Sequence, residues 1–356
     1  MKRSTAELIR PDIIGMPAYK VADATGYIKL DAMENPFSLP PELRMELGER
    51  LAEVEVNRYP DADCADLKQG LACAFGIPEA ARVLLGNGSD EIISMVTQAI
   101  SRPGARVMAL EPSFVMYRLN ARFSRLDYLG VPLNSDFSLN LPATLAAIRE
   151  HQPEVIFISY PNNPTGNRFA RADVEAILAE ASGLVVVDEA YSSFSDDSLM
   201  DLAGHEPNLL VMRTVSKLGL AGIRLGYAAS TPAWIEALNT VRPPYNVNLL
   251  TQETARFMLD HLEVFNVQTR TLCSERARLA QRLSGIRGLE AYPSEANFIT
   301  VRVPDAGRVF AALKEAGILV KNLHGAHALL ANCLRLSIGT PNENDALFAA
   351  LTTCFN

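Results

Sequence analysis

The sequence predicts an α/β fold: a large domain on a mostly parallel, helix-flanked sheet, and a smaller α+β domain at the C-terminus. Three observations predict it. Short apolar runs bounded by turns alternate with longer amphipathic segments through most of the chain. The polar motifs directly follow the apolar runs, where open parallel sheets carry their sites. Beyond about residue 285 the rhythm changes to short strands and two helices.

Taken in order, residues 1–40 read as an N-terminal arm belonging with the small domain. Residues 41–250 read as the large domain. Its helical patterns are Pro41–Val54, Ala65–Phe75, Asp90–Ile100 and Ala172–Glu180, each with apolar residues at helical spacing. Its strands are Arg106–Leu110, Glu154–Ser159, Leu184–Asp188 and Leu209–Arg213, too short and too apolar for surface helices. The stretch Leu249–Leu283 reads as a connecting helix, assigned to residues 251–285. Residues 286–356 form the small domain, with strands at Gly288–Tyr292, Phe298–Val303, Ile318–Lys321 and Cys333–Ile338 and helices at Ala306–Ala316 and Asn342–Leu351.

The bulk numbers exclude several classes. With 356 residues and 48% hydrophobic content, the chain can build its core without staples. A net charge of -8 argues against a nucleic-acid partner, which asks for a basic face. The five cysteines are odd in number and lack metal or redox spacing, so neither a metal site nor a disulfide is expected. No secretory h-region and no run of about 20 apolar residues is visible. The expectation is a soluble cytoplasmic protein without a membrane partner.

Chemistry enters through five motifs. In TVSKLGLAGIRLG, Lys217 stands among small and apolar residues. It is a surface lysine on a loop or a nucleophilic amine in a dry pocket. GNGSDE at Gly86–Glu91 is a phosphate cradle at a helix N-terminus or a plain glycine turn with an N-cap. YPNNPTG follows a strand and is a turn or an amide donor to a ligand oxygen. LVVVDEAY ends an apolar strand on Asp188, which caps a turn or faces a ring nitrogen. CLRLSIGT buries Arg335 in a strand, where it needs an ion-pair partner or an anionic ligand. One ligand satisfies all five, having a phosphate, an aromatic nitrogen, a phenolic oxygen and an aldehyde for lysine. It is pyridoxal 5′-phosphate.

The order GNGSDE, PSF, NNPTG, DEAY, TVSK, Arg224, CLRLSIGT resembles the aspartate-aminotransferase superfamily of pyridoxal-phosphate enzymes, fold type I. KLDAMENPF, RYPD, RPPYNVN, EANFI and LRLSIGTPNEND narrow the resemblance to histidinol-phosphate aminotransferases. The resemblance spans nearly the whole chain. It implies that Lys217 bonds the cofactor's aldehyde and shuttles the proton, while Asp188 pairs with the pyridine nitrogen. Asn163 and Tyr191 hold the ring oxygen, and Phe114 stacks on the ring. Gly88, Ser89, Asp90, Ser216 and Arg224 cradle the phosphate, with Tyr59 reaching it from the neighbouring subunit of a homodimer with shared sites. Arg335 grips the anionic end of either substrate, and Tyr19, Asn35, Tyr245, Asn248 and Lys321 line the substrate pocket.

The implied reaction is L-histidinol phosphate plus 2-oxoglutarate to 3-(imidazol-4-yl)-2-oxopropyl phosphate plus L-glutamate, in histidine biosynthesis. Alternatives on the same fold are an aromatic amino acid aminotransferase and a threonine-phosphate decarboxylase. A cofactor-binding regulator would need an added DNA-binding segment, and a nucleotide-binding Rossmann protein leaves Lys217 without a role. Some relatives carry arginine where Lys321 stands, which keeps the charge and loses the planar fork. The histidines, His151, His205, His261, His324 and His327, are expected to be structural or surface residues.

Overall fold

The structure, a computed structural model, describes residues 2–18 and 20–355. Among the described residues, twelve strands form two sheets. In chain order they are β1 (Ile28–Leu30), β2 (Arg82–Asn87), β3 (Arg106–Glu111), β4 (Asp127–Pro132), β5 (Val155–Ser159) and β6 (Leu184–Asp188). There follow β7 (Leu209–Thr214), β8 (Leu225–Ser230), β9 (Glu290–Ala291), β10 (Phe298–Arg302), β11 (Ile318–Asn322) and β12 (Cys333–Ser337).

The seven-stranded sheet has the order β2-β8-β7-β6-β5-β3-β4. Strands β3 to β7 pair in parallel, and β8 runs antiparallel between β2 and β7. The central strands are buried on both faces, which is why they read as continuous apolar runs. Period-two alternation sorts their side chains. Ile156, Ile158, Val185 and Val187 enter the core on one face, and Val155, Phe157, Leu184 and Val186 enter the core on the other.

This topology gathers the motifs at one sheet edge. The carboxyl ends of β3, β5, β6 and β7 all reach it, carrying Phe114, Asn163, Asp188 and Lys217 just beyond. Because β8 is antiparallel, it brings its amino end there, so Arg224 precedes its strand while the others follow theirs. Strand β2, antiparallel to β8, ends at the same edge and passes through Gly88 into the helix Ser89–Ala99.

The five-stranded sheet has the order β1-β11-β12-β10-β9. Strand β1 pairs in parallel with β11, tying the segment before residue 40 to the C-terminal part. A separate core, including Leu272, Phe298, Val320, Leu336 and Leu347, underlies this sheet. The connector is two helices, Leu249–Asp260 and Leu262–Leu283, where the periodicity reads as one. They break at His261, whose Nε2 lies 3.0 Å from Glu46 Oε1. Strands β1, β4 and β8 and the helices Val115–Phe123, Leu141–His151 and Pro232–Val241 add to the elements read from sequence.

Candidate active site

Gly88 enters its helix with φ +79°, and a Cβ built there would meet Arg224 Nη2 at 2.5 Å. Only glycine lets the guanidinium lie against the backbone at this helix N-terminus. Gly226 makes the second close approach: a Cβ there would meet the Ser89 nitrogen at 2.4 Å. Arg224 itself has φ +53°, with Nη2 3.5 Å from Asp90 Oδ2 and Nη1 3.5 Å from Ser216 Oγ. Ser89 and Asp90 of the first helical turn, Ser216 and the Arg224 guanidinium therefore line one small space, with the donor types an anion needs. Burial pushes the Asp90 carboxyl up, and Arg224 opposes that push.

Lys217 lies in an irregular turn, Ser216–Leu220, kinked at Gly219 (φ 136°). Thr214 sets the approach. Its Oγ1 accepts the Ser216 N–H at 3.1 Å, lies 2.9 Å from Ser216 Oγ, and donates to the Leu225 carbonyl at 3.0 Å. Lys217 Nζ lies 3.4 Å from the Ala32 carbonyl. Burial, with Arg335 and Arg224 nearby, lowers its pKa to about 8, although Glu34 and Asp90 pull the other way.

Asp188 ends β6 on the face that holds Tyr117. Tyr117 O–H donates to its Oδ2 at 2.7 Å, and the Ala190 N–H donates to its Oδ1 at 3.1 Å. Burial nevertheless raises the carboxyl to about 6, with the two donors opposing. Tyr117 is fully buried and stacks on Phe157 at 4.7 Å. It was not among the residues picked from the sequence. Its signal was position alone, three residues past Phe114 on an unread helix.

Asp188, Lys217, Asn163, Tyr191, Phe114 and Ser216 line one cavity, together with Ser89, Asp90 and Arg224. A second cavity, of ≈ 320 Å³, shares Met33, Phe114 and Asn163 with the first and adds Lys321 and Arg335. Lys321 and Arg335 are register partners across β11 and β12. Arg335 Nη1 donates to Asn163 Oδ1 at 2.6 Å, and its Nη2 donates to the Asp31 carbonyl at 3.0 Å. The first bond joins the two sheets across the cavity floor. His327, expected as a structural or surface histidine, lines this second cavity.

Four sequence-picked residues stand elsewhere, and a fifth, Tyr19, lies outside the described residues. Asn35 holds the lysine turn from behind: its Nδ2 donates to the Leu218 carbonyl at 3.0 Å and to Gln268 Oε1 at 2.9 Å. Asn248 caps the helix Leu249–Asp260 by accepting the Thr251 N–H at 2.9 Å. Tyr59 is 80% exposed and stacks on Tyr245, with ring centres 4.6 Å apart.

The arrangement fits pyridoxal phosphate group by group. The cradle that a Cβ at Gly88 would fill takes the phosphate, Asp188 suits a ring nitrogen, and a partly neutral lysine suits an aldehyde. Among the described residues, no group of histidine, cysteine, aspartate and glutamate could hold a metal ion, and no helix is long and apolar enough to cross a membrane.

Comparison with known proteins agrees. The family described as aminotransferase class I and II matches residues 25–351. A histidinol-phosphate aminotransferase of Chromobacterium violaceum is 62% identical over 355 residues, covering 100% of both chains. One from Neisseria meningitidis is 50% identical over 349 residues, covering 97% of this chain and 96% of its own. The solved histidinol-phosphate aminotransferase of Sinorhizobium meliloti, in complex with pyridoxal-5′-phosphate, superposes with a TM-score of 0.87 at 24% identity, covering 98% of this chain and 97% of its own. This chain belongs to the pyridoxal-phosphate-dependent class I and II aminotransferases and, within them, to the histidinol-phosphate aminotransferase family.

Proposed function

We propose that the protein interconverts L-histidinol phosphate plus 2-oxoglutarate and 3-(imidazol-4-yl)-2-oxopropyl phosphate plus L-glutamate, as a step of histidine biosynthesis in the cytoplasm. The observation that carries this reading is the full-length identity to a histidinol-phosphate aminotransferase. When bound, pyridoxal phosphate supplies an electron sink and a carrier for the amino group. The chain's own residues do the rest.

Lys217 would hold the cofactor's aldehyde carbon and move a proton at the substrate's reacting carbon. A pKa of about 8 suits both tasks. At pH 7 about one such amine in ten is unprotonated, against a few in ten thousand for an exposed lysine. Asp188, fixed by Tyr117 and Ala190, would pair with the ring nitrogen, and a protonated nitrogen there would favour its charged form. Asn163, with its oxygen held by Arg335, would present its amide nitrogen to the ring oxygen, with Tyr191 beside it. Phe114 would cover the ring, and Gly88, Ser89, Asp90, Ser216 and Arg224 would cradle the phosphate. Arg335, with Lys321 opposite it in register, takes the anion of either substrate. Asn35 acts through Leu218 as a positioning residue.

Tyr59, exposed on its own chain, serves the phosphate of a second copy in a homodimer. Tyr19, Tyr245 and Asn248 complete the substrate pocket from the rim. The domain division at 41–250, 251–285 and 286–356, with residues 1–40 joining the small domain, draws support from the β1–β11 pairing and the separate small-sheet core.

The test is spectroscopic. Purified protein loaded with pyridoxal phosphate should show a visible cofactor band. Adding L-histidinol phosphate should abolish the band, and 2-oxoglutarate should restore it. A band that ignores histidinol phosphate but answers another amine would refute the substrate and keep the cofactor. Absence of any band would refute the role of Lys217.

A further inference from the structure

An enzyme that serves two substrates by turns must place both in one cavity. Histidinol phosphate and glutamate each offer an anion to Arg335, but their side chains differ. One ends in an imidazole, which presents an N–H and wants an acceptor. The other ends in a carboxylate, which wants a donor. We propose that Glu111, Arg118 and Tyr128 form a two-way side-chain subsite, in which Glu111 accepts from the imidazole N–H and Arg118 donates to the carboxylate. The proposal rests on the reaction given above.

All three residues line the cavity that holds Lys321 and Arg335; Glu111 and Tyr128 come from the other sheet, on β3 and β4, and Arg118 from the helix Val115–Phe123 between them. Glu111 closes β3 at the edge where the site lies, and its side chain is 15% exposed. It is held from three directions. Tyr128 O–H donates to its Oε1 at 2.8 Å, and Arg118 Nη2 donates to both oxygens at 2.5 Å. Beneath it, a Cβ at Gly130 would meet the Glu111 carboxyl carbon at 2.7 Å, so only glycine gives the carboxylate this seat. The acceptor is therefore fixed in place before a substrate arrives.

Arg118 is the exposed half. Its side chain is 57% exposed, its guanidinium lies over the Tyr128 ring at 5.1 Å, and it carries N–H groups beyond the Nη2 pair. A carboxylate in the cavity can take a donor from Arg118 without dislodging Glu111 from Tyr128.

The molecule already offers an imidazole to the same acceptor. His327, on the loop after β11, accepts the Leu329 N–H at its Nδ1 at 3.1 Å, which assigns the neutral ring's proton to Nε2. That Nε2 lies 3.9 Å from Glu111 Oε2. A substrate imidazole entering beside Glu111 repeats this pairing at hydrogen-bonding distance.

The experiment measures each half-reaction separately, by stopped-flow on the cofactor-loaded enzyme, for wild type, Glu111→Gln and Arg118→Gln. Substrate dissociation constants are taken by calorimetry alongside. Glu111→Gln should weaken L-histidinol phosphate about tenfold or more, the size of a charge-assisted hydrogen bond, and glutamate far less. Arg118→Gln should do the reverse. Retention of the visible cofactor band and of the melting temperature shows that each variant is folded. Should Glu111→Gln unfold, Tyr128→Phe removes only the donor that aims the carboxylate and should still bias against histidinol phosphate. Equal losses for both substrates, or no loss for either, overturn the subsite. Wild-type enzyme that ignores histidinol phosphate overturns the assigned reaction instead, and the subsite with it.

Discussion

The floor and the rim of this site are built differently. On the floor, Asp188, Asn163, Ser216 and Tyr191 are buried, and Asp188, Asn163 and Ser216 each meet a polar partner supplied by the same chain. On the rim, Tyr59 is 80% exposed and Tyr245 43% exposed, each with the other as its ring partner. The floor hangs on the carboxyl ends of hydrogen-bonded parallel strands. The rim hangs on loops. Chemistry common to a whole superfamily sits on the rigid part, and what selects a substrate sits where elements distant in sequence meet.

The sharpest way to break that contrast is to remove the floor's nucleophile. Lys217→Ala should lower the overall transamination rate by about 10⁴-fold or more, because the covalent hold and the positioned base go together. Steady-state assay with histidinol phosphate and 2-oxoglutarate reads this directly, and near wild-type turnover would sink the mechanism. The lowered pKa adds a pH signature. Cofactor-free protein should capture pyridoxal phosphate about tenfold faster at pH 7 than at pH 6, levelling above pH 8. An ordinary lysine would still be accelerating at pH 10.

Next in size is Asp188→Asn, expected to cost about 10²–10³-fold in kcat through the lost carboxylate. It also carries a stability test with a definite sign. The folded pKa of about 6 lies above the unfolded value near 4, so the folded state binds the extra proton between them. Stability of the cofactor-free protein therefore falls as pH rises through that window, by about 3 kcal/mol at most. Cofactor-free Asp188→Asn should be the more stable protein at pH 8, with the gap closing below pH 4. Urea unfolding at the two pH values checks it. An equal gap at both would mean that burial does not perturb Asp188.

Tyr117→Phe probes the same carboxylate more gently. The hydroxyl's bond to Oδ2 holds the carboxyl down, so its loss should raise the Asp188 pKa further. The acid limb of the pH–rate profile should shift upward, with about a tenfold loss in kcat. A loss of stability with an unmoved profile would make Tyr117 a packing residue only.

The same floor-to-rim gradient governs what could be read beforehand. Asp188, Asn163 and Lys217 were legible because each follows an apolar run that ends at the sheet edge. Strand β8 was not, because LGYAAS lacks the branched residues that mark a strand, its small side chains making room for Ser89 and the sheet's helices. Helix Val115–Phe123 was missed for want of a start signal, and Tyr117 with it. The Leu249–Leu283 pattern continued unbroken through His261, since a helix break without proline or glycine leaves periodicity intact. His327 and Glu111 lie in segments far apart in sequence, and no spacing rule joins them.

The smallest expected effect decides whether the rim is shared between copies. Tyr59→Phe removes one hydroxyl that would donate to the cofactor phosphate, so cofactor affinity should fall only about three- to tenfold. Such a loss fits a tyrosine acting on its own chain as well as one acting on a partner. Mixing separates them. Lys217→Ala chains keep Tyr59, and Tyr59→Phe chains keep Lys217. If Tyr59 reaches across, each hybrid dimer contains one site with a native lysine and a native tyrosine from different chains. A fraction of sites in the mixture, after subunit exchange, should then bind the cofactor with wild-type affinity. If Tyr59 serves its own chain, every lysine-bearing site still lacks the hydroxyl, and no wild-type fraction forms. The exposed Tyr59–Tyr245 stack then has to be explained by one molecule alone.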